Sequence, residues 1–352
     1  MLNFESDYNN GAHKKILENL LLTNDCQSLT YGFDLWTERA KQKIKTACKK
    51  EDLDIFFLTG GTQTNATVID GILDSYEGVL SSTEGHINVH EAGAIEAFGH
   101  KVITLPTKDG KILIPELEKY LSLFLRDENR DHVAQPGMLY LTFPTEMGTI
   151  YYKDELKQLY SLCRQYSLPL FIDGARLGYG LMSKECDFDL PWLCNHCDCF
   201  YIGGTKIGAL CGEAVVFTHN NAPKKFFSII KRHGALLAKS RLLGIQFDTL
   251  FTDNLYFDLS SHAIQMAEKL KAILREAHFP FYLSSPTNQQ FVILPNDLIT
   301  LLDQQVLFSH WLPYDSTHHV CRFVTSWSTT QQEIEELRKI IIEKTRSLET
   351  IP

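Results

Sequence analysis

The feature that most constrains the fold of this chain is a repeated alternation of short apolar runs with amphipathic stretches, from about residue 54 to residue 217. Seven runs are rich in β-branched and aromatic residues, which favours strands. They span residues 54–58, 79–81, 101–105, 138–142, 168–172, 199–202 and 214–217. Helical spacing is found between them in residues 63–74, 91–98, 115–125 and 153–165. The alternation predicts a mostly parallel sheet with helices on both faces and functional groups at the carboxyl ends of its strands.

Patterns on both sides of this block extend the prediction to the rest of the chain. Amphipathic spacing predicts helices over residues 12–22, 36–50, 226–250 with a break at Gly234, 260–277 and 331–347. Strands are expected near residues 279–283, 291–294 and 319–325. Because 352 residues exceed what one small core requires, we expect three parts. They are an N-terminal segment (1–35) that contributes to site and interface, a large α/β domain (36–254) and a small α+β domain (255–352).

The charge balance restricts the partners. The chain has 34 basic and 43 acidic residues and a formal net charge of -9, so it lacks the basic excess that neutralises nucleic-acid phosphates. No apolar run approaches the roughly 18 residues of a membrane span, and no secretory signal is visible. Nine cysteines, an odd number in a long chain, favour reduced thiols. We therefore expect a cytoplasmic protein that binds neither nucleic acid nor membrane.

A turn with two glycines follows the first strand of the block. Gly60, Gly61 and Thr62 lead from that strand into a predicted helix, where backbone N–H groups and hydroxyls suit a phosphate group. The turn is not a P-loop, because no Gly-Lys-Ser/Thr follows, and it lacks the three-glycine dinucleotide fingerprint. Helix capping alone is the alternative interpretation.

An acid and a lysine follow two later strands at the same predicted edge. Asp173 ends a very apolar run and needs a cationic partner if it is buried, although pairing with Arg176 or capping of the next turn would also explain it. Lys206 follows two glycines after residues 199–202, where a solvated lysine is the common alternative. With the glycine turn, they supply what pyridoxal phosphate requires, namely a Schiff-base lysine, an acid for the pyridine nitrogen and a phosphate site.

The order of these motifs resembles the threonine aldolase and β-eliminating lyase family of fold-type I pyridoxal-phosphate enzymes. The similarity spans nearly the whole chain, and its most specific element is Asp173-Gly174-Ala175-Arg176 with the later Lys206. The other matching positions are Ser6-Asp7, Tyr31-Gly32, Asp34, Gly61-Thr62-Gln63, Asn65, His86, Glu91-Ala92-Gly93, Thr145, Gly148 and Arg322. The resemblance implies an aspartate aminotransferase-like large domain with a mostly parallel seven-stranded sheet, a small α+β C-terminal domain and pyridoxal 5′-phosphate as the cofactor.

The resemblance also implies roles for individual residues. The catalytic residues are Lys206, His86, Glu146 and Asp173. The cofactor-binding residues are Gly61, Thr62, Gln63, His86, Asp173, Arg176, Thr205 and Lys206. The substrate-binding residues are Ser6, Arg176 and Arg322. His86 stacks over the cofactor, with His90 as the neighbouring alternative. The guanidinium fork of Arg322 suits a carboxylate, although a surface strand cation is the alternative.

One position departs from the family pattern. Glu146, between Thr145 and Gly148, stands where the better-known members carry a second active-site histidine. That histidine is associated with removing the proton of the substrate β-hydroxyl as an aldehyde is released. Glu146 would do the same through a water molecule as a general base, or it indicates a different substrate or reaction.

These inferences predict a lyase that cleaves a small-molecule β-hydroxy-α-amino acid, threonine or allo-threonine, to glycine and an aldehyde by retro-aldol chemistry. The alternatives are β-elimination or transamination on the same cofactor, and a non-catalytic protein that binds it.

The resemblance implies a homo-oligomer, a dimer of dimers, in which Tyr31-Gly32 and the region from Arg232 to Lys239 contribute to a neighbour's site. The segment from Cys194 to Cys199 contains cysteine and histidine side chains that suit a soft metal ion. A tetrahedral zinc site usually takes its ligands from two such segments, and the sequence has no second CxxC pair, so we predict no metal site.

Overall fold

The computed structural model of the protein describes residues 1–349. The strands are β1 (Leu2–Asn3), β2 (Asp54–Leu58), β3 (Glu77–Ser82), β4 (Lys101–Leu105), β5 (Thr107–Lys108), β6 (Lys111–Ile112), β7 (Gln135–Thr142), β8 (Leu170–Asp173), β9 (Cys199–Gly203), β10 (Glu213–Phe217), β11 (Gln289–Pro295), β12 (Val306–Leu307), β13 (Ser309–Pro313) and β14 (His318–Val324). The α-helices are α1 (Lys14–Leu22), α2 (Leu35–Cys48), α3 (Gly61–Ile72), α4 (His86–Val89), α5 (Ala94–Ala97), α6 (Ile114–Arg126), α7 (Lys153–Gln165), α8 (Leu177–Leu181), α9 (Leu190–Leu193), α10 (Phe226–Arg232), α11 (Arg241–Leu250), α12 (Leu255–Glu276), α13 (Asn296–Leu302) and α14 (Gln331–Glu349).

Seven strands form one central sheet in the order β2-β10-β9-β8-β7-β3-β4. The pairs β3–β4, β3–β7, β7–β8 and β8–β9 are parallel, whereas β10 runs antiparallel to β2 and β9. The predicted mostly parallel, seven-stranded sheet is confirmed, and each of the seven predicted runs overlaps one of its strands. Because β10 is antiparallel, its first residue lies at the edge where the parallel strands end.

Helices cover both faces of the sheet, as its continuous apolar strands require. Successive side chains of β7 and β8 belong to different buried clusters: Leu139 and Ile172 contact one helix layer, and Tyr140 and Phe171 contact the other. Helices α1, α2, α6, α7 and α11 pack on the first face, and α3, α5 and α10 pack on the second. Asp173 follows Phe171 by two positions, so it faces the side of α3.

A second, smaller core surrounds the three-stranded antiparallel sheet β11-β14-β13. Helices α13 and α14 belong to it, and Leu2 and Phe4 from the N-terminus are buried in the same cluster. Strand β1 pairs in parallel with β12. Helix α12 contributes to both cores, with Tyr256 in the large one and Leu274 in the small one. The two cores are thus joined by a continuous helix, and the expected division into three parts stays a prediction.

Two local predictions are wrong. One helix was expected over residues 91–98, but Ala92 (φ 51°) and Gly93 (φ 73°) adopt left-handed backbone conformations between α4 and α5. A right-handed helix cannot continue through such residues, so only the short helix α5 forms within the predicted range. The strand expected near residues 279–283 is reduced to a single bridge between Phe281 and Val292.

The cysteines do not pair in this structure. All nine are free thiols, and Cys194, Cys197 and Cys199 are buried. Among residues 1–349, no three His, Cys, Asp or Glu side chains are grouped so that they could hold a metal ion. No helix in the described part of the chain has the length and hydropathy that crossing a membrane requires.

Candidate active site

The turns that follow β2, β8 and β9 lie at the carboxyl edge of the sheet. The last two turns are in contact, since the Gly203 N–H donates to the Gly174 carbonyl oxygen over 3.0 Å. This contact requires glycine at position 174, because a Cβ atom there would lie 1.9 Å from the Tyr201 carbonyl oxygen. Asp173 and Lys206 are thereby placed at neighbouring strand ends.

The carboxylate of Asp173 is buried and accepts hydrogen bonds from two tyrosine hydroxyls, an asparagine amide and the backbone. Its Oδ2 accepts from Tyr140 Oη at 2.6 Å and from Asn65 Nδ2 at 2.9 Å, and its Oδ1 accepts from the Ala175 N–H at 3.0 Å. Burial raises the pKa of this carboxyl, but the charge of His86 and the tyrosine hydrogen bonds outweigh burial and lower the pKa below its ordinary value. Asp173 is therefore ionised and suited to hold a proton on a ring nitrogen.

A chain of hydrogen bonds connects Asp173 to His86. The Asn65 amide nitrogen donates to Asp173 and also, at 2.7 Å, to Glu91 Oε1. The same Glu91 oxygen lies 2.7 Å from His86 Nδ1. Burial lowers the pKa of His86, but the Glu91 hydrogen bond and the charges of Glu146 and Asp173 raise it above its ordinary value. The imidazole is therefore protonated over a wider pH range than a free histidine.

Lys206 lies in the turn after β9 with its amine unpaired. Its Nζ atom has no hydrogen-bond or ion-pair partner among residues 1–349 and lies 5.9 Å from the centre of the Tyr8 ring. The Lys206 carbonyl oxygen accepts a hydrogen bond from Tyr179 Oη at 2.5 Å, which anchors the turn. Burial and the charge of Arg176 lower the pKa of the amine, so more of it is in the neutral, nucleophilic form.

Arg176 is held by a carboxylate from the N-terminal segment. Its Nε and Nη2 donate to the two oxygens of Asp7 at 2.7 and 3.0 Å, and Asn288 Nδ2 donates to Asp7 at 2.9 Å. Burial raises the pKa of Asp7, but the charges of Arg176 and Lys206 lower it to about 2. No group among residues 1–349 accepts a hydrogen bond from Nη1 of Arg176, so this nitrogen remains for a further ligand. The Ser6 hydroxyl donates a hydrogen bond to Asn9 Oδ1 of the same N-terminal segment at 2.7 Å.

Arg322 approaches Arg176 from β14 of the smaller unit. Its Nη1 donates to Gln289 Oε1 at 3.1 Å, its Nη2 donates to Ser309 Oγ at 3.0 Å, and its Cζ lies 4.7 Å from the centre of the Trp311 ring. Burial and the positive charge of Arg176 lower the pKa of this guanidinium to about 10. The two guanidinium groups therefore repel each other, and a carboxylate bound by both would relieve the repulsion.

Glu146 follows β7 and faces the charged groups of this edge. Its side chain is buried, and its negative charge acts to raise the pKa values of His86 and Lys206. With His90 and Trp311 it lines an open cleft of about 490 Å³. Its side chain therefore faces this cleft.

Helix α3 begins with free backbone donors. Gly60, its N-cap, offers no side-chain acceptor, and the N–H groups of Gly61, Thr62 and Gln63 have no acceptor within residues 1–349. The Gln63 side chain turns back instead, since its Oε1 accepts from Thr59 Oγ1 at 2.5 Å. Free donors at the start of this helix fit an anion such as phosphate.

Thr205 already has partners within the protein. Its Oγ1 lies 2.8 Å from Glu213 Oε1 and accepts from the Gly212 N–H at 3.1 Å. The Thr205 hydroxyl can therefore donate a hydrogen bond to a cofactor only when it does not donate its hydrogen to Glu213.

One basic residue of the region expected to serve a neighbouring subunit, Arg232, has a partner in its own chain. Arg232 forms an ion pair with Asp70 of α3, which His233 contacts as well. The Nζ atom of Lys231 lies 5.0 Å from the centre of the Tyr31 ring. Within a single chain, the Arg232 guanidinium is thus already paired.

Four residues that complete the site had no assigned role in the sequence prediction: Asp7, Asn65, Glu91 and Tyr140. Asn65 follows Gly61 by four positions, so the helical period places both on one side of α3, which is a usable signal. Tyr140 belongs to an apolar strand, and nothing in the sequence separates its hydroxyl from an ordinary core position.

The donor set of this edge fits pyridoxal phosphate. The ionised Asp173 suits the ring nitrogen, the unpaired Lys206 amine suits the aldehyde, and the free N–H groups at the start of α3 suit the phosphate. The two guanidinium groups have the donor geometry that suits a carboxylate.

Comparison with known proteins finds a matching family and similar structures. The model of the β-eliminating lyase family matches residues 6–343. The low specificity L-threonine aldolase of Pseudomonas aeruginosa is 28% identical over 343 residues, 96% of this chain and 96% of that protein. The structure of Leishmania major threonine aldolase has a TM-score of 0.93 and 37% identity, covering 98% of this chain and 99% of that chain. A histidinol-phosphate aminotransferase of Clostridium acetobutylicum (TM-score 0.73, 14% identity, 98% of this chain and 100% of that chain) shares the fold.

The link between Glu91 and His86 makes a testable prediction. The Glu91→Gln substitution should lower the pKa of His86, because a carboxylate that stabilises the imidazolium is replaced by a neutral amide. The pKa is measured by NMR titration of histidine-labelled protein, with Glu96→Gln on the exposed side of α5 as the control. A His86 pKa that is unchanged in Glu91→Gln would remove Glu91 from this role.

Proposed function

The chain belongs to the β-eliminating lyase family, and we propose that it is a pyridoxal-phosphate-dependent lyase that cleaves threonine or allo-threonine to glycine and acetaldehyde by retro-aldol chemistry. The observation that carries the proposal is the sheet edge at which the unpaired Lys206 amine and the buried, ionised Asp173 lie on neighbouring strand ends. The similar proteins from Pseudomonas aeruginosa and Leishmania major, both named threonine aldolases, support the choice of substrate.

Pyridoxal phosphate would be held by residues from the turns at this edge. Lys206 would bind its aldehyde carbon, Asp173 would keep its ring nitrogen protonated, and His86 would stack on the ring. The N–H groups of Gly61 and Thr62 would bind its phosphate. When bound, the cofactor supplies the electron sink that accepts the electron pair of the Cα–Cβ bond.

Arg322 and Arg176 would bind the carboxylate of the substrate. Their mutual repulsion makes an anion between them favourable, and the free Nη1 of Arg176 remains as a donor. Ser6, beside Asp7, would add a hydroxyl. Fixing the carboxylate orients the substrate while its side chain enters the cleft lined by Glu146.

Glu146 is the proposed general base. Its carboxylate accepts the proton of the β-hydroxyl, directly or through a water molecule, while the Cα–Cβ bond breaks and the aldehyde forms. The side chain of Glu146 is buried and its negative charge acts to raise the pKa of His86, so its carboxylate faces both the imidazole and the cleft.

We also infer that the protein is a cytoplasmic homo-oligomer, a dimer of dimers. Leu29, Phe33 and Leu35 of the N-terminal region are 70%, 62% and 63% exposed, and Phe33 lines an apolar cleft with Tyr31 and Phe227. A concentration of exposed apolar side chains supports burial against a second copy. The nine free thiols support a reducing compartment.

The reaction is tested by product analysis. Purified protein with pyridoxal phosphate should release acetaldehyde and glycine from threonine or allo-threonine in a panel of amino acids assayed for aldehyde, pyruvate and other keto acids. The Lys206→Ala variant should lose both the visible absorbance of the bound cofactor and the cleavage, because it lacks the amine that binds the aldehyde. Lys184→Ala, an exposed lysine, should retain both. Keto acids without aldehyde would favour β-elimination or transamination instead.

The role of Glu146 is tested separately from cofactor binding. The Glu146→Gln variant should keep the visible absorbance of the bound cofactor and lose about 10²- to 10⁴-fold in kcat, the usual contribution of a general base. Glu146→His should recover part of the loss, and Glu118→Gln on the exposed side of α6 is the control. If Glu146→Gln cleaves threonine at the parent rate, the base is another group, with His86 and His90 next to be examined.

The assembly is tested by sedimentation equilibrium. The protein should sediment at about four times its chain mass of 40.2 kDa, and Phe33→Asp should reduce that mass because a charge would be buried in the apolar contact. Leu123→Asp, at an exposed apolar position of α6, is the control. A monomeric mass with full activity would contradict the proposed assembly.

A further inference from the structure

Glu213, the first residue of β10, is a buried carboxyl that the proposed reaction does not use. Its exposed fraction is 3%, and it pairs across the sheet with Leu58 of β2 and with Gly203 of β9. The turn that begins α3 follows Leu58, and the turn that carries Lys206 follows Gly203. Glu213 therefore lies between the helix start that suits a phosphate and the turn of the proposed cofactor-binding lysine.

The hydrogen bonds of Glu213 hold the Lys206 turn. Its Oε2 accepts from the Gly204 N–H at 3.1 Å, and its Oε1 lies 2.8 Å from Thr205 Oγ1. Thr205 Oγ1 in turn accepts from the Gly212 N–H at 3.1 Å. Both carboxyl oxygens are thus engaged with the backbone or side chain of two consecutive turn residues.

The protonation state of Glu213 decides what the Thr205 hydroxyl can do. A hydroxyl has one hydrogen to donate and two sites at which to accept. When Glu213 is ionised, Thr205 must give that hydrogen to the Glu213 oxygen. When Glu213 carries a proton on Oε1, it donates to Thr205 instead, and the hydroxyl hydrogen is released for a third group.

The surroundings of Glu213 favour the neutral acid near neutral pH. Burial raises the pKa of Glu213 to about 8, although its hydrogen bonds and Lys206 act to lower it. Among residues 1–349, the other titratable side chains that interact with Glu213 are Asp173 from β8, Tyr201 from β9 and Tyr256 from α12. None of these three carries a positive charge, and a bound phosphate would add to the cost of ionising Glu213.

We propose that Glu213 is a positioning residue that works as a neutral acid: its proton turns the Thr205 hydroxyl toward the phosphate of the cofactor, and its ionisation at alkaline pH withdraws that hydroxyl. The inference rests on the proposed function only in taking pyridoxal phosphate as the source of the anion. It assigns a pH-dependent step to cofactor binding rather than to the cleavage of the substrate.

The test measures binding without turnover. Full-length protein freed of cofactor is titrated calorimetrically with pyridoxine 5′-phosphate, whose alcohol cannot bond covalently to Lys206, at about pH 7 and about pH 9.5, either side of the Glu213 titration. The parent should lose about tenfold or more in affinity at the higher pH, as expected for one hydrogen bond to a charged group. Glu213→Gln, whose amide can accept from Gly204 and donate to Thr205, should match the parent at about pH 7 and lose less at about pH 9.5.

Two controls separate Glu213 from the other titrating groups. Unphosphorylated pyridoxine should show no difference between the parent and Glu213→Gln in the change of affinity with pH, since it lacks the group that Thr205 would bind. Thr205→Val should bind pyridoxine 5′-phosphate more weakly at about pH 7, because the hydroxyl donor is absent, and should show a smaller loss at alkaline pH.

The outcomes distinguish the two proposals. If Glu213→Gln and the parent lose the same affinity for pyridoxine 5′-phosphate, the role of Glu213 is overturned and the proposed function stands. If Thr205→Val binds pyridoxine 5′-phosphate as tightly as the parent does, the role of Glu213 is also overturned, even if Glu213→Gln fails to fold. If pyridoxine 5′-phosphate does not bind the parent at neutral pH, the inference and the proposed function fail together.

Discussion

The organisation of the candidate site depends on the burial of the Asp173 carboxylate. Removing a charged group from water costs several kcal/mol unless protein donors replace the lost hydration. Tyr140 from β7, Asn65 from α3 and the N–H of Ala175 provide those donors. Three separate elements must therefore meet at one carboxylate, which holds the start of α3 against the sheet and places its free N–H groups beside the strand ends. Through Asn65 and Glu91 the same requirement also fixes the ring of His86.

Both positive and negative side chains surround this carboxylate. Lys206 has acids around it, Arg176 is paired with Asp7, and Arg322 lies within the field of Arg176. Arg176 and Arg322 are close enough to repel each other, so both can receive one carboxylate, while the N–H groups at the start of α3 remain for a separate anion. This distribution suits an amino acid bound together with a phosphate-bearing cofactor, because the phosphate and the carboxylate need separate cationic or N–H sites.

The sequence was sufficient for the sheet because parallel strands buried on both faces leave continuous apolar runs. It was not sufficient for the pairing of polar groups, which depends on tertiary distances. Asp7 lies far from Arg176 in the chain, and no local pattern indicates their bidentate contact. Glu213 was overlooked because it precedes an apolar run and resembles an ordinary strand end. The break at Ala92 was missed because alanine rarely adopts positive φ and its helical propensity argued for continuity.

The continuous helix α12 has a consequence for how the two arginines act. Its side chains are buried in both cores, and the N-terminal strand ties Phe4 to the small core while Asp7, three residues later, grips Arg176 of the large unit. Separating the two cores would require bending a helix of 22 residues, and also either removing Phe4 from the small core or breaking the Asp7–Arg176 pair. The relative position of Arg176 and Arg322 is therefore largely set before a ligand binds. The carboxylate of a ligand must fit this preformed arrangement of the two guanidinium groups. Little of the binding free energy is then lost in bringing the two arginines together.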